Sequence, residues 1–237
     1  MLRKIIALIG LPILVLAAFY LSQFVVSFAI LGLFGQSQIS LWQAQNSLLF
    51  NLIVSAITYL VVLVIVSLLP IKLLFDKNDT NPIDETRKKD LLLSILLAVA
   101  GFIAYYLLSM ALTAIFSNFS WFNIGQEQEV IYKTAGDQMG IIISGLALVV
   151  VAPYFEEAIF RGWLYGTLRK IRVGGILAAL VTSVAFGFLH GQWNVGVDTF
   201  ALSLVSCYLY EQTGSIRSSV FLHMIKNGLA FYVIFFT

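Results

Sequence analysis

Charge is scarce in this 237-residue chain, and cysteine, histidine and proline are scarcer still. Asp, Glu, Lys and Arg make up 11% of residues, against ~25% in an average soluble domain. Too few charges remain to clothe a water-soluble globule. A soluble enzyme is thereby excluded, and so is a nucleic-acid binder with its basic surface. The single Cys207 excludes an internal disulfide framework and a cysteine-based zinc site. No H-E-x-x-H occurs, which excludes a conventional zincin helix. No internal repeat and no low-complexity tract interrupts the chain.

What the chain does have is apolar surface. Sixty per cent of its residues are hydrophobic, against ~45–50% in soluble domains, so it is not a disordered chain. The bilayer must act as solvent for most of it. Apolar residues run continuously instead of alternating, so a β-barrel is excluded. Seven runs reach or approach the ~20 residues that cross a membrane: Ile5–Phe34, Leu48–Phe75, Leu91–Phe116, Ile141–Lys170, Gly174–His190, Asn194–Tyr210 and Ser215–Phe236. The expected fold class is an all-α polytopic membrane helix bundle. Arg3 and Lys4 precede the first run like the basic region of a signal peptide. The run is about twice as long as a cleaved signal's apolar region, so it reads as an uncleaved signal-anchor.

Basic residues fall on alternate sides. Arg3, Lys4, Lys72, Lys77, Arg87, Lys88, Lys89, Arg169, Lys170, Arg172 and Arg217 lie on one side, eleven in all, and Lys133 alone on the other. The positive-inside rule then puts the N-terminus of a multi-pass membrane protein in the cytoplasm and its C-terminus outside. The polar loop at 76–90, with Asp79, Asn81, Pro82, Asp84 and Glu85, reads as a cytoplasmic divider. Residues 1–75 are an accessory helical hairpin and 91–237 the working core, with its chemistry within 140–237.

Ionisable groups inside spans cost ~2.5–3.5 kcal/mol each on insertion scales, so the few present mark function. They are Glu156, Glu157, Arg161, His190, Asp198, His223 and Lys226, joined by the polar Asn227. Arg161 lies four residues after Glu157, on the same helix face, and can neutralise it. Glu156 is rotated ~100° away and has no partner on its own helix. An unpaired carboxylate in apolar surroundings suits the role of proton acceptor. Glu156 lies 17 residues before Val173 and His190 lies 17 after it. An antiparallel hairpin turning near Val173 therefore sets both at one depth. Phe186 sits one turn before His190 and can wall the site. His223 and Asn227, at i and i+4, share a face of the last span. Asp198 and Lys226 match in depth and read as a structural ion pair.

A Glu and a His can activate water for attack on a carbonyl, and a His and an Asn can hold the oxyanion. Glu156, His190 and His223 could instead hold a divalent metal such as zinc. A cofactor is thus either one such ion or none.

Three signatures occur in order: E-E-x-x-x-R at Glu156–Arg161, F-x-x-x-H at Phe186–His190 and H-x-x-x-N at His223–Asn227. Together they resemble the CPBP family of intramembrane proteases (CAAX proteases and bacteriocin-processing enzymes, also called Abi), which includes the type II CAAX prenyl endopeptidases. The resemblance covers residues 140–237. It implies an endopeptidase in which Glu156 activates water with His190, His223 and Asn227 stabilise the oxyanion, and Glu157 and Arg161 orient and neutralise. The family is described both as metalloprotease and as metal-independent glutamate protease. Its prenyl-endopeptidase branch has eight spans against the seven read here. It implies as partner a peptide or protein substrate at the membrane: a leader peptide, a bacteriocin precursor or a prenylated C-terminus. The short chain looks more like the prokaryotic branch, which implies a prokaryotic cell membrane as its location. Two other classes compete. A proton-coupled transporter would use Glu156, His190 and Asp198 as a relay but would show paired repeats. A catalytically silent membrane partner, such as an immunity protein, would not need all three signatures intact.

Overall fold

The computed structural model describes residues 2–69, 83, 90–122 and 138–237. Most of the 76–90 loop and of the loop carrying Lys133 lies outside them. The described residues form helices and turns with no strand, as the uninterrupted apolar runs require. The chain is a multi-pass integral membrane protein. Among the described residues five helical stretches are long and apolar enough to cross a membrane: Arg3–Gln43, Leu49–Leu68, Leu91–Phe116, Met139–Lys170 and Arg217–Phe236. Two more helices, Gly175–Leu189 and Trp193–Thr213, lie where the two short runs were read, so the seven expected runs are helical and five of them meet the length and apolarity of a span.

The first stretch, α1 (Leu2–Leu68), turns back on itself. Phe19 and Tyr59 lie 40 residues apart, yet their rings meet edge-on at 5.8 Å. A straight helix would separate them by about 60 Å. The reversal falls where Gly35 takes φ +71°, a left-handed conformation that glycine adopts without penalty. Across it the Phe34 and Trp42 rings meet at 4.7 Å. Facing residues such as Leu11, Val15, Val62 and Val66 are buried, and they pack on the body of the bundle.

Helix α2 (Leu91–Phe116) starts at Asp90, whose carboxylate accepts from the Leu92 N–H at 2.8 Å and so caps an otherwise orphan donor. The next rod is composite. It joins α3 (Gln138–Gly145), a π-helical segment Leu146–Val151, α4 (Ala152–Glu157), a second π-helical segment Ala158–Tyr165 and α5 (Gly166–Lys170). Helices α6 (Gly175–Leu189), α7 (Trp193–Thr213) and α8 (Arg217–Phe236) follow. α6 packs on α7, and α2 packs on α7 and α8. The α6–α7 crossing is close because both helices place glycine there. A Cβ on Gly187 would stand 2.8 Å from the Gly196 carbonyl oxygen. Such small-residue contacts replace the hydrophobic effect as the driver of association in lipid.

Side chains segregate as a bilayer demands. Ile159, Phe160, Leu164, Leu168, Phe186, Leu202 and Leu222 are sealed inside. Leu33, Phe24 and Ile176 point outward and are more than two-thirds, two-thirds and four-fifths exposed (77%, 67% and 82%). In water that surface would drive aggregation; in hydrocarbon it costs nothing.

The ends of the bundle are tied by polar contacts. Arg169 grips Glu211 with Nε and Nη2 at 2.6–3.2 Å, and Tyr165 donates to the same carboxylate at 2.7 Å. Lys4 donates to the Arg172 carbonyl at 2.7 Å. The N-terminus, the α5–α6 turn and the α7–α8 turn therefore share one end of the bundle.

Candidate active site

Glu156 and Glu157 end α4, between the two π-helical segments. Pro153 explains the first segment. In π-helical pairing the Ala152 N–H reaches the Ala147 carbonyl, so the next carbonyl, Leu148, would accept from residue 153. Proline has no N–H to give, and the Leu148 carbonyl is orphaned inside the bundle. Asn227 supplies the missing donor: its Nδ2 donates to the Leu148 carbonyl at 2.8 Å. One N–H of Asn227 is committed to the backbone, which leaves its second N–H and its carbonyl oxygen. Such π widenings are rare and concentrate at functional sites.

The two glutamates divide as their positions on the helix require. Glu157 is fully buried, as is Arg161, and the Glu157 Oε1 meets Arg161 Nη1 at 3.0 Å. This is the i, i+4 pair expected from spacing. The same carboxylate oxygen receives the His223 Nδ1 at 3.0 Å. Arg161 also lies over the Phe186 ring, its Cζ 4.7 Å from the centroid, a cation–π contact. Its Nε and Nη2 find no hydrogen-bond acceptor among the described residues.

Glu156 is unpaired on its own helix, and its partners come from elsewhere. Tyr59 on α1 donates its hydroxyl to Oε1 at 2.5 Å. Oε2 faces the His223 Nε2 at 3.9 Å. That gap is too long for a direct hydrogen bond and short enough for one water to touch both atoms. Sequence reasoning missed Tyr59. A tyrosine in an apolar run is unremarkable, and nothing local distinguishes it.

Phe186 is the wall that spacing suggested. Fully buried, its ring meets His190 at 5.0 Å, His223 at 5.8 Å and Phe160 at 4.9 Å. Both histidines thus pack against one aromatic ring. His190 closes α6, with its Nδ1 2.9 Å from the Phe186 carbonyl. A carbonyl only accepts, so Nδ1 carries hydrogen and Nε2 is free. His223 is anchored the same way, with Nδ1 toward Glu157 and Nε2 toward Glu156. His190 also lies within electrostatic reach of Glu156, His223 and Lys226.

Anchored Nδ1 and free Nε2 is how metal-binding histidines are held, and Glu156, His190 and His223 are suitable donors for zinc. Among the described residues no three His, Cys, Asp or Glu side chains gather closely enough to ligate an ion.

Asp198 and Lys226 form the expected ion pair, Nζ to Oδ2 at 3.4 Å. The other carboxylate oxygen accepts from Tyr105 and Ser109 of α2, both at 2.7 Å. This polar knot pins α2 and α7 to α8 one residue before Asn227. Outward of it, an apolar cavity of about 390 Å³ lies between α2, α6 and α7, with Leu112, Phe116, Gly187 and Phe200 in its walls.

Residues 138–229 match the Type II CAAX prenyl endopeptidase Rce1-like family. The matched segment contains every residue of the three signatures, so the resemblance read from them holds. Two curated proteins are similar. "Putative membrane peptidase YdiL" of Bacillus subtilis (strain 168) is 29% identical over 142 residues, 60% of this chain and 57% of that protein. "UPF0177 protein YaiH" of Lactococcus lactis subsp. lactis (strain IL1403) is 26% identical over 92 residues, 38% of this chain and 37% of that protein. The matches thus span little more than half of one relative and about a third of the other. No solved structure matches at a significant level. Tyr59 lies outside the family-matched segment.

Proposed function

We propose that this protein is an intramembrane peptidase in which Glu156 activates water for hydrolysis of a peptide bond. The observation that carries the reading is the division between two adjacent carboxylates. Glu157 is spent on Arg161 and His223, while Glu156 keeps one oxygen 3.9 Å from the His223 Nε2, where one water beside the pair can touch both atoms. A water there gives a proton to Glu156 Oε2, and its oxygen attacks the scissile carbonyl carbon. The His190 Nε2, with its ring fixed by the Phe186 carbonyl, orients that water. The developing oxyanion receives the uncommitted N–H of Asn227 and, with His223 holding hydrogen on both ring nitrogens and Glu157 as its counter-charge, the His223 Nε2–H. Glu156 then returns the proton to the leaving amine, so protons balance over the cycle.

The substrate in this proposal is a peptide segment held at or in the bilayer: a leader peptide, a bacteriocin precursor or a prenylated C-terminus. The Rce1-like segment and the name of the Bacillus relative support a membrane peptidase. The proposed orientation has the N-terminus in the cytoplasm of a prokaryotic cell. The Lys4–Arg172 and Arg169–Glu211 contacts support it, because they gather three basic segments at one end. The test is membrane proteomics of cells carrying wild type or Glu156→Gln. A precursor that persists uncut only in the variant is expected; identical peptide profiles would contradict the reading.

A further inference from the structure

The family-matched segment does not complete the site by itself. Glu156 ends α4 with no partner on its own helix, and a glutamate has three side-chain torsions with which to wander. What stops it is the Tyr59 hydroxyl, 97 residues away in sequence, donating to Oε1 at 2.5 Å. We propose that Tyr59 is a positioning residue for the reaction, holding one oxygen of Glu156 so that the other is presented to the water; this rests on the peptidase reading above.

Three observations support it. The phenol is itself held. Its ring stacks on Phe155 at 5.7 Å with planes 7° apart, and meets the edge of Phe19 at 5.8 Å. Phe19 stacks in turn on Phe160 at 6.0 Å. This aromatic clamp joins α1 to both sides of the Glu156–Glu157 pair, so Tyr59 is a fixed donor. The hydrogen bond also makes the two carboxylate oxygens inequivalent. Oε1 is occupied, and Oε2 alone faces His223. Finally, Glu156 is almost enclosed, with its side chain 10% exposed, so solvent cannot replace the phenol as a well-directed donor. Catalysis by an activated water is sensitive to placement on the ångström scale, and a hydrogen bond to a charged group is among the stronger side-chain contacts. The hairpin before residue 69 is therefore part of the working machinery.

The experiment uses the full chain purified into lipid nanodiscs. A library of internally quenched peptides is screened, and the peptide that the wild type cuts best is kept. Wild type, Tyr59→Phe, Glu156→Gln and a protein carrying 3-fluorotyrosine at position 59 are compared in kcat, KM and thermal midpoint. Tyr59→Phe is expected to lose roughly tenfold or more in kcat with KM within about twofold. Should Tyr59→Phe also lose thermal stability, the 3-fluorotyrosine protein decides. It keeps ring and hydroxyl but changes donor strength, so kcat should move at least about twofold at an unchanged midpoint, which a purely structural role would not produce. Wild-type kcat in both Tyr59 proteins, or a change confined to KM, overturns the positioning role. If Glu156→Gln is inactive while both Tyr59 proteins behave as wild type, only the role of Tyr59 fails. If Glu156→Gln cuts like the wild type, or the wild type cuts nothing in the library, the peptidase reading itself fails.

Discussion

Replacing Glu157 by glutamine keeps the shape of the side chain and removes its charge. The consequence follows from what surrounds it. Arg161 is fully buried, its Nη1 is 3.0 Å from the lost carboxylate, and its Nε and Nη2 have no acceptor among the described residues. The Phe186 face offers some compensation at 4.7 Å, worth up to about 2 kcal/mol when desolvated. That is less than a buried cation needs. Breaking such a pair from one side costs about 3–5 kcal/mol. For a chain of this size each 1 kcal/mol moves the midpoint by about 2–4 °C. The thermal midpoint in detergent should therefore fall by about 6–20 °C, with a smaller yield of monodisperse protein. Arg161→Gln should behave alike. The double change removes both charges and should cost less than the two single changes summed, because neither partner is left unpaired. The assay is a thermal melt of the four proteins followed by size-exclusion. A Glu157→Gln midpoint within about 2 °C of wild type, or strict additivity in the double variant, would refute the reasoning.

Gly187→Ala should destabilise the protein by about 1–3 kcal/mol, since its Cβ meets a backbone oxygen at 2.8 Å. Gly10→Ala, with nothing within 4 Å, should melt with the wild type. Asp198→Asn weakens its contact with Lys226 and two hydroxyl bonds in a part-buried cluster; a loss of about 1–3 kcal/mol is expected, read in the same melts. A reporter fused after Thr237 should read as external and one inserted at Asn78 as cytoplasmic; both on one side would break the proposed orientation.

The parts of the site that were legible in sequence are those governed by one helix or one hairpin. Glu157 and Arg161 pair because i and i+4 share a face. Asp198 and Lys226 meet because helix rise fixes depth across a tight hairpin. Phe186 walls the histidines because it precedes His190 by one turn. What was not legible depends on rotation between helices remote in sequence. Nothing in the N-terminal run singles out Tyr59 from the other tyrosines, and no local rule says that α1 turns this face toward Glu156. The contact of His223 with both glutamates is of the same kind. Asn227 is an intermediate case. Its bond to Leu148 answers a carbonyl orphaned by Pro153, and a proline within an apolar span does signal a missing donor. The spans themselves were readable because every apolar run exceeds what a soluble core uses.

The most direct measurement is cleavage by Glu156→Gln beside Glu157→Gln, each normalised to folded protein. Glutamine at 156 keeps size and can still accept from Tyr59, but it cannot take a proton from water. Cleavage by Glu156→Gln should fall by at least about 10²-fold at normal abundance and an unchanged melt. Glu157→Gln should lose folded protein as well as activity. Near-wild-type cleavage by Glu156→Gln would contradict the account, because another group would then have to activate the water.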